Sequence, residues 1–106
     1  MAEDRPLLDT MVEMNASSIS HSGLNTRDLM MVRLAALAAV DAPPASYLMN
    51  LRAAADAGLT AEDMRSILIA VAPIVGTPEV VNAAGSITRA LGIALALDDA
   101  IENGEL

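Results

Sequence analysis

The sequence predicts an all-α domain of five to six helices that assembles with copies of itself. Three observations lead there. The 106 residues are 54% hydrophobic, yet Phe and Trp are absent and Tyr47 is the lone aromatic, so the core must be built from Ala, Leu, Ile, Val and Met. Ala, Leu and Met are strong helix formers. No segment alternates with period two, which leaves no strand to assign. Proline, glycine and short polar caps recur at the spacing of helix starts and stops.

Length and composition set further bounds. One domain of this size leaves no room for a second. So small a domain cannot hide so much apolar surface within one chain. A membrane span needs about 20 consecutive apolar residues, and Arg33, Glu79 and Arg89 break the apolar runs. A homo-oligomer is therefore expected, and no membrane. The net charge is −8 and all six cations are Arg; without a basic patch no nucleic-acid partner is expected. With no cysteine there is neither disulfide nor thiolate chemistry. No metal and no cofactor are expected. The opening MAEDRPLLDT lacks the apolar core of a signal peptide, so a cytoplasmic location is the expectation.

Residues 1–5 are expected to fray. Pro6 suits a first helical turn, and Leu7, Leu8, Met11, Val12 and Met14 follow at helical spacing. This helix should fade in the loop-forming stretch NASSISHSG, residues 15–23, with His21 in that loop. Residues 1–23 thus form an N-terminal helix and Ser-rich loop, ahead of a helical domain over 24–100. Asn25 caps a second helix, 26–40, with Asp28 placed like the acid of a capping box. Leu29, Val32, Ala36, Leu37 and Val40 form its stripe; Met30, Met31, Leu34 and Ala35 widen it almost all round, which predicts a buried central helix. Asp41-Ala42-Pro43-Pro44 ends it.

Pro44 opens a third helix that buries Tyr47, Leu48, Leu51, Ala54 and Ala55 and stops at Gly58. Thr60 caps a fourth, with Glu62 and Asp63 in its first turn and Met64, Ile67, Leu68 and Val71 on one face. Pro73 should kink it or end it early. After Gly76, Thr77-Pro78-Glu79 reads as N-cap, first-position proline and first-turn acid. Val80, Ala84, Ile87, Leu91 and Leu95 mark the face of the fifth helix. Gly85 and Gly92 point to the close approach of another helix, in this chain or in a partner. From Asp98 onward the chain should fray, with 101–106 as a loose end.

The runs LNTRDLMMVRLAALAA, PPASYLMNLRAAADAGLTAEDMRSIL and VAPIVGTPEVVNAA resemble the carboxymuconolactone decarboxylase family, which shares its helical fold with the alkylhydroperoxidase AhpD proteins. The likeness spans about residues 24–100. Its most specific parts are Ala57 to Glu62 and the Gly76-x-Pro78-x-x-x-Asn82 segment, both of which look like fold determinants. The resemblance implies an AhpD-like helical domain in a trimer or hexamer. The AhpD-like branch uses a Cys-x-x-Cys pair at the third helix, absent here, so the chain is not a thiol peroxidase. The decarboxylase-like branch keeps a histidine eight residues before the helix-ending glycine, where this sequence has Asn50. A further His or Gln of that branch falls on Ala70, its Glu falls on Asp28, and an aromatic often present falls on Ile74.

Six residues stand as site candidates, each with a plain structural alternative. Asn50 can donate and accept hydrogen bonds but exchanges no proton near neutral pH; it polarises a substrate or satisfies backbone. Asp28 acts as a base or orients substrate, or it caps its helix. His21 has a suitable pKa for acid–base work but lies outside the motif core. Arg33 and Arg52, with Arg27, could clamp an anion, or pair at an interface; a buried Arg33 needs a partner such as Asp28 or Asp56. Tyr47 walls a pocket or fills the core. The methionines fill space where aromatics are missing and call for no cofactor. Two functions follow. One is a diverged lyase or isomerase acting on a small carboxylated or lactone metabolite, which Asn50 and Arg52 bind while Asp28 or His21 handles the proton. The other is a non-catalytic oligomeric scaffold or ligand-binding member that has lost the active site.

Overall fold

The computed structural model describes residues 5–104, which form five helices and no strand: α1 (Arg5–His21), α2 (Thr26–Ala39), α3 (Pro44–Asp56), α4 (Ala61–Val75) and α5 (Thr77–Glu102). α2 packs against α3, α4 and α5, and α5 lies against α3 and α4 as well. Met30, Leu34, Ala38, Tyr47, Leu51, Ala54, Ile67, Leu68, Ala83, Ile87 and Ala90 meet in one core. Small alanines on facing helices bring the axes together, so four Ala-rich helices close a core with a single aromatic in it.

The helix boundaries have identifiable causes. The Asn25 side chain accepts the Asp28 backbone N–H at 2.8 Å. The Asp28 carboxylate answers the Asn25 side-chain amide at 3.1 Å. α4 begins with a full capping box: Asp63 N–H donates to Thr60 Oγ1, and Thr60 N–H donates to Asp63 Oδ2 at 2.8 Å. α3 ends as expected at Gly58, whose φ of 87° is left-handed. Gly58 N–H reaches Ala55 O and Leu59 N–H reaches Ala54 O, each at 3.0 Å, and buried Leu59 seals the turn. α2 ends by the same device without a glycine. Asp41 takes φ 54°, and Ala42 N–H donates to Leu37 O at 3.0 Å.

Several expectations are corrected. The Ser-rich stretch is helical: α1 continues to His21, and only Ser22–Asn25 separate it from α2. Its hydroxyls and imidazole bond within their own turn, as Ser20 Oγ does to Ser17 O at 3.2 Å, so they do not break the helix. α2 is central but not buried on every side; Val32 and Val40 are exposed within the chain. Ala55 of α3 is exposed too. Pro73 does not end α4, which runs on to Val75, because proline's fixed φ is itself helical and only one hydrogen bond is lost. Thr77 lies inside α5, whose N-cap is Gly76, and no side chain caps it. The buried face of α5 is Ala83, Ser86, Ile87 and Ala90, so Leu91 and Leu95 turn outward. The helix extends through the expected loose end to Glu102 and closes on Asn103 and Gly104. The fraying expected at 1–5 does not reach Arg5, which is already helical and opens α1; residues 1–4 and 105–106 lie outside the described residues.

α1 differs from the other helices in having no buried residue. Arg33 ties it to α2. The guanidinium donates to Asn15 Oδ1 at 2.6 Å and to Ser18 Oγ at 3.2 Å. The expected Arg33 pairing with Asp28 or Asp56 is therefore replaced by neutral oxygens on α1. The chain exposes 7311 Å², against roughly 5,600 Å² for a compact monomer of its mass. Its radius of gyration is 15.1 Å, against about 13 Å for a compact domain of its length.

Candidate functional site

Asn50 sits on α3 and is half-buried. Its side-chain amide donates to Ser46 O, one turn back, at 2.8 Å. That bond ties one amide N–H to its own helix. Asp28 is exposed at the start of α2, its carboxylate engaged by Asn25. His21 is exposed in the last turn of α1, with Nδ1 2.9 Å from Ser17 O and 2.9 Å from Ser20 Oγ. The tautomer with a proton on Nδ1 donates to the Ser17 carbonyl and leaves Nε2 open to solvent. These three residues lie on three different helices with no shared partner among these bonds.

Tyr47 is fully buried, and its hydroxyl has no hydrogen-bond partner. Burial, and then the Asp41 carboxylate, hold the phenol above its ordinary pKa. Arg27 serves the fold. It donates to Gly58 O at 3.1 Å and pairs with Asp63 Oδ1 at 3.2 Å, tying the start of α2 to the α3–α4 turn. The bond from Thr60 N–H, helped by the Thr60 hydroxyl and Arg27, holds the Asp63 carboxyl below its usual range.

Three hollows mark the surface. The first is open and shallow, lined by Met14, Ser17, Ser18, His21 and Ser22 at the end of α1. The second, of about 370 Å³, lies between the α2–α3 turn and α5 and is lined by Asp41, Val81, Asn82, Gly85, Ser86 and Arg89. The third, of about 660 Å³, is an apolar groove between α3 and α5, where Arg52, Asp56 and Asp98 stand among Leu48, Leu51, Leu91 and Leu95. Of the six candidates, His21 reaches the first and Arg52 the third. Asn50, Asp28, Arg33 and Tyr47 line none of the three. Among the described residues no group of three or more His, Asp and Glu side chains is placed to hold a metal ion.

Asp41, Ser86 and Arg89 escaped the sequence reading as site residues. Asp41 and Arg89 are 48 positions apart with no motif linking them. The available signal was a charge, Arg89, inside an otherwise apolar helix, two turns on and on the same face as the Asn82 of the proline-led segment. By length and composition α5 is also long and apolar enough to cross a membrane. Of that apolar stretch 22% is buried in the bundle, and Ala83, Ser86, Ile87 and Ala90 are the buried residues of α5.

An all-helical bundle with a capped α3–α4 turn and a proline-led α5 defines a small all-α protein. The chain matches the model of the Carboxymuconolactone decarboxylase family over residues 5–89, and it belongs to that family. No curated protein and no solved structure shows significant similarity to it.

Proposed function

We propose that this chain is a non-catalytic member of its family, a homo-oligomeric scaffold that keeps the helical fold and has lost the acid–base centre. The observation that carries this reading is Asn50. It stands where the resemblance puts a histidine, has no group that ionises near neutral pH, and donates one amide N–H to Ser46 O. General acid–base catalysis needs a titratable group within reach of substrate. Asp28 and His21 share no hydrogen bond with Asn50 and are engaged locally.

Assembly is supported by area. The chain exposes roughly 1,700 Å² more than a compact monomer of its mass, and one side of a standard protein interface covers about 800 Å². A chain this extended, with that much apolar surface uncovered, has room for more than one such contact, as a ring or a trimer requires. The apolar face of α1 and the outward residues of α5 (Leu91, Ile93, Leu95, Leu97 and Ile101) are the surfaces to cover. A trimer or hexamer is the assembly we propose.

One observation favours a second reading, a diverged lyase or isomerase. The α3–α5 groove has the volume of a small-molecule site and places Arg52 among apolar walls, where it would hold a carboxylate. The test uses the purified protein with a panel of small carboxylates and lactones, followed by NMR for substrate loss and for carbon dioxide release. The scaffold reading expects no turnover. Turnover that Arg52→Ala or Asp28→Asn abolishes overturns it in favour of the enzyme.

A further inference from the structure

The hollow between the α2–α3 turn and α5 carries chemistry that neither reading above uses. Two elements build it. Asp41 comes from the turn, where the left-handed φ of 54° and the Ala42 N–H to Leu37 O bond fix its position. Asn82, Ser86 and Arg89 come from α5, at spacings of four and three that place them on one face. Gly85 lies between them. A Cβ there would meet nothing within 4 Å, so the floor of the hollow is open rather than packed.

The charges in this hollow are unpaired. Among the described residues, neither Asp41 nor Arg89 takes part in an ion pair, and they form none with each other although they line the same space. Ser86 is a polar side chain more than nine-tenths buried, at 7% exposure, and it lines the hollow. Behind the turn, the buried Tyr47 hydroxyl has no partner. A helix that buries a serine and leaves a glycine without a neighbour gains nothing in stability from either. Both choices are accounted for if the space holds a small polar molecule.

We propose that this hollow binds a small zwitterion of the α-amino acid class, its ammonium on the Asp41 carboxylate and its carboxylate on the Arg89 guanidinium. Asn82 and Ser86 supply neutral hydrogen bonds to the same ammonium and carboxylate. One charge of each sign selects the ligand: a dicarboxylate meets repulsion at Asp41, and a diamine meets it at Arg89. The volume of about 370 Å³ falls at the lower end of small-molecule sites, which suits a short side chain. The site is made from one chain, so the proposal stands apart from the scaffold reading and does not need it.

The test is titration of the full-length protein with L-alanine, L-serine and L-glutamine, with succinate and 1,4-diaminobutane as controls, read by amide NMR shifts and calorimetry. The expected result is saturable binding of at least one amino acid, with the shifts centred on Asp41, Asn82 and Arg89. Asp41→Asn preserves the turn, because asparagine tolerates the left-handed region, and removes the charge. It and Arg89→Gln should each weaken binding by about tenfold or more, the loss of one charge-assisted contact. Gly85→Ala should raise the melting temperature while weakening binding, since it favours the helix and narrows the floor. Three outcomes overturn the proposal: no amino acid binds, binding survives undiminished in both charge variants, or succinate binds as tightly as the amino acids. Light scattering on the same samples reports assembly separately, so failure here leaves the scaffold reading to its own test.

Discussion

α1 and α4 are helices of similar length, 17 and 15 residues, and both carry an apolar face. Their fates differ. α4 buries Ile67 and Leu68 against the core and half-buries Met64 and Val71. α1 buries nothing: Leu7, Leu8, Met11, Val12 and Met14 are all more than half exposed, at 51% to 68%. The core of one chain is complete with α2 to α5. The apolar face of α1 is surplus to it, and in the assembly proposed above another subunit covers it. Arg33 holds α1 at a defined place on α2 through Asn15 and Ser18.

The sharpest way to break this contrast is to make the same deletion on both sides of it. Leu34, 3% exposed on α2, should lose about 3 to 5 kcal/mol on change to Ala, through lost burial and the cavity left behind. Leu8→Ala removes the same atoms from an exposed site. It should leave the stability of the single chain unchanged and appear only as a denaturation midpoint that depends on protein concentration. Urea unfolding at several concentrations measures both. Equal, concentration-independent losses would erase the distinction.

A smaller effect is expected where α4 begins. Thr60→Ala removes the N-cap and should cost about 1 kcal/mol, read from the same unfolding curves. The capping box also has a pH signature. The folded Asp63 carboxyl titrates below its ordinary value of 3.8. Its contribution is therefore fully present above the unfolded pKa and is lost as pH falls through the lower folded value. The stability difference between the wild type and Asp63→Asn should narrow over that acid window and stay constant above about pH 5. A widening gap on acidification would contradict the bonding assigned to Asp63.

The smallest predicted effect concerns the core itself. Tyr47→Phe deletes a buried hydroxyl that has no partner. Removing an unsatisfied polar group relieves its desolvation, so the variant should be as stable as the wild type or up to about 1 kcal/mol more stable. A loss of 1 kcal/mol or more in denaturant would mean that the hydroxyl has a partner after all.

Much of the fold was legible because its punctuation is local. Asn25, Gly58, Thr60 and Gly76 each act through neighbouring backbone groups, and each sits where the residue pattern put it. What resisted reading was non-local. α5 is apolar nearly all round, so its periodicity does not select the inward face, and packing chose Ala83, Ile87 and Ala90 over Ala84, Leu91 and Leu95. The serines of α1 favour loops in general, but here they bond within the helix and let it continue to His21. The Asp41 stop needed a left-handed aspartate that nothing in the residue pattern distinguishes from an ordinary turn. Family likeness led attention to Asn50 and Asp28, whose side chains turn out to be occupied locally. The hollow with unpaired charges joins residues from two elements far apart in the chain, and only the fold brings them together.

The mass in solution tests the central claim most directly: that α1 exists to be covered by another copy. Light scattering at micromolar concentration should give a trimer or hexamer of the 10.9 kDa chain. Met11→Asp, which puts a charge on the exposed face of α1, should return the mass to that of one chain with the helical circular dichroism unchanged. A wild-type mass of a single chain, or an unchanged assembly in Met11→Asp, would contradict the account.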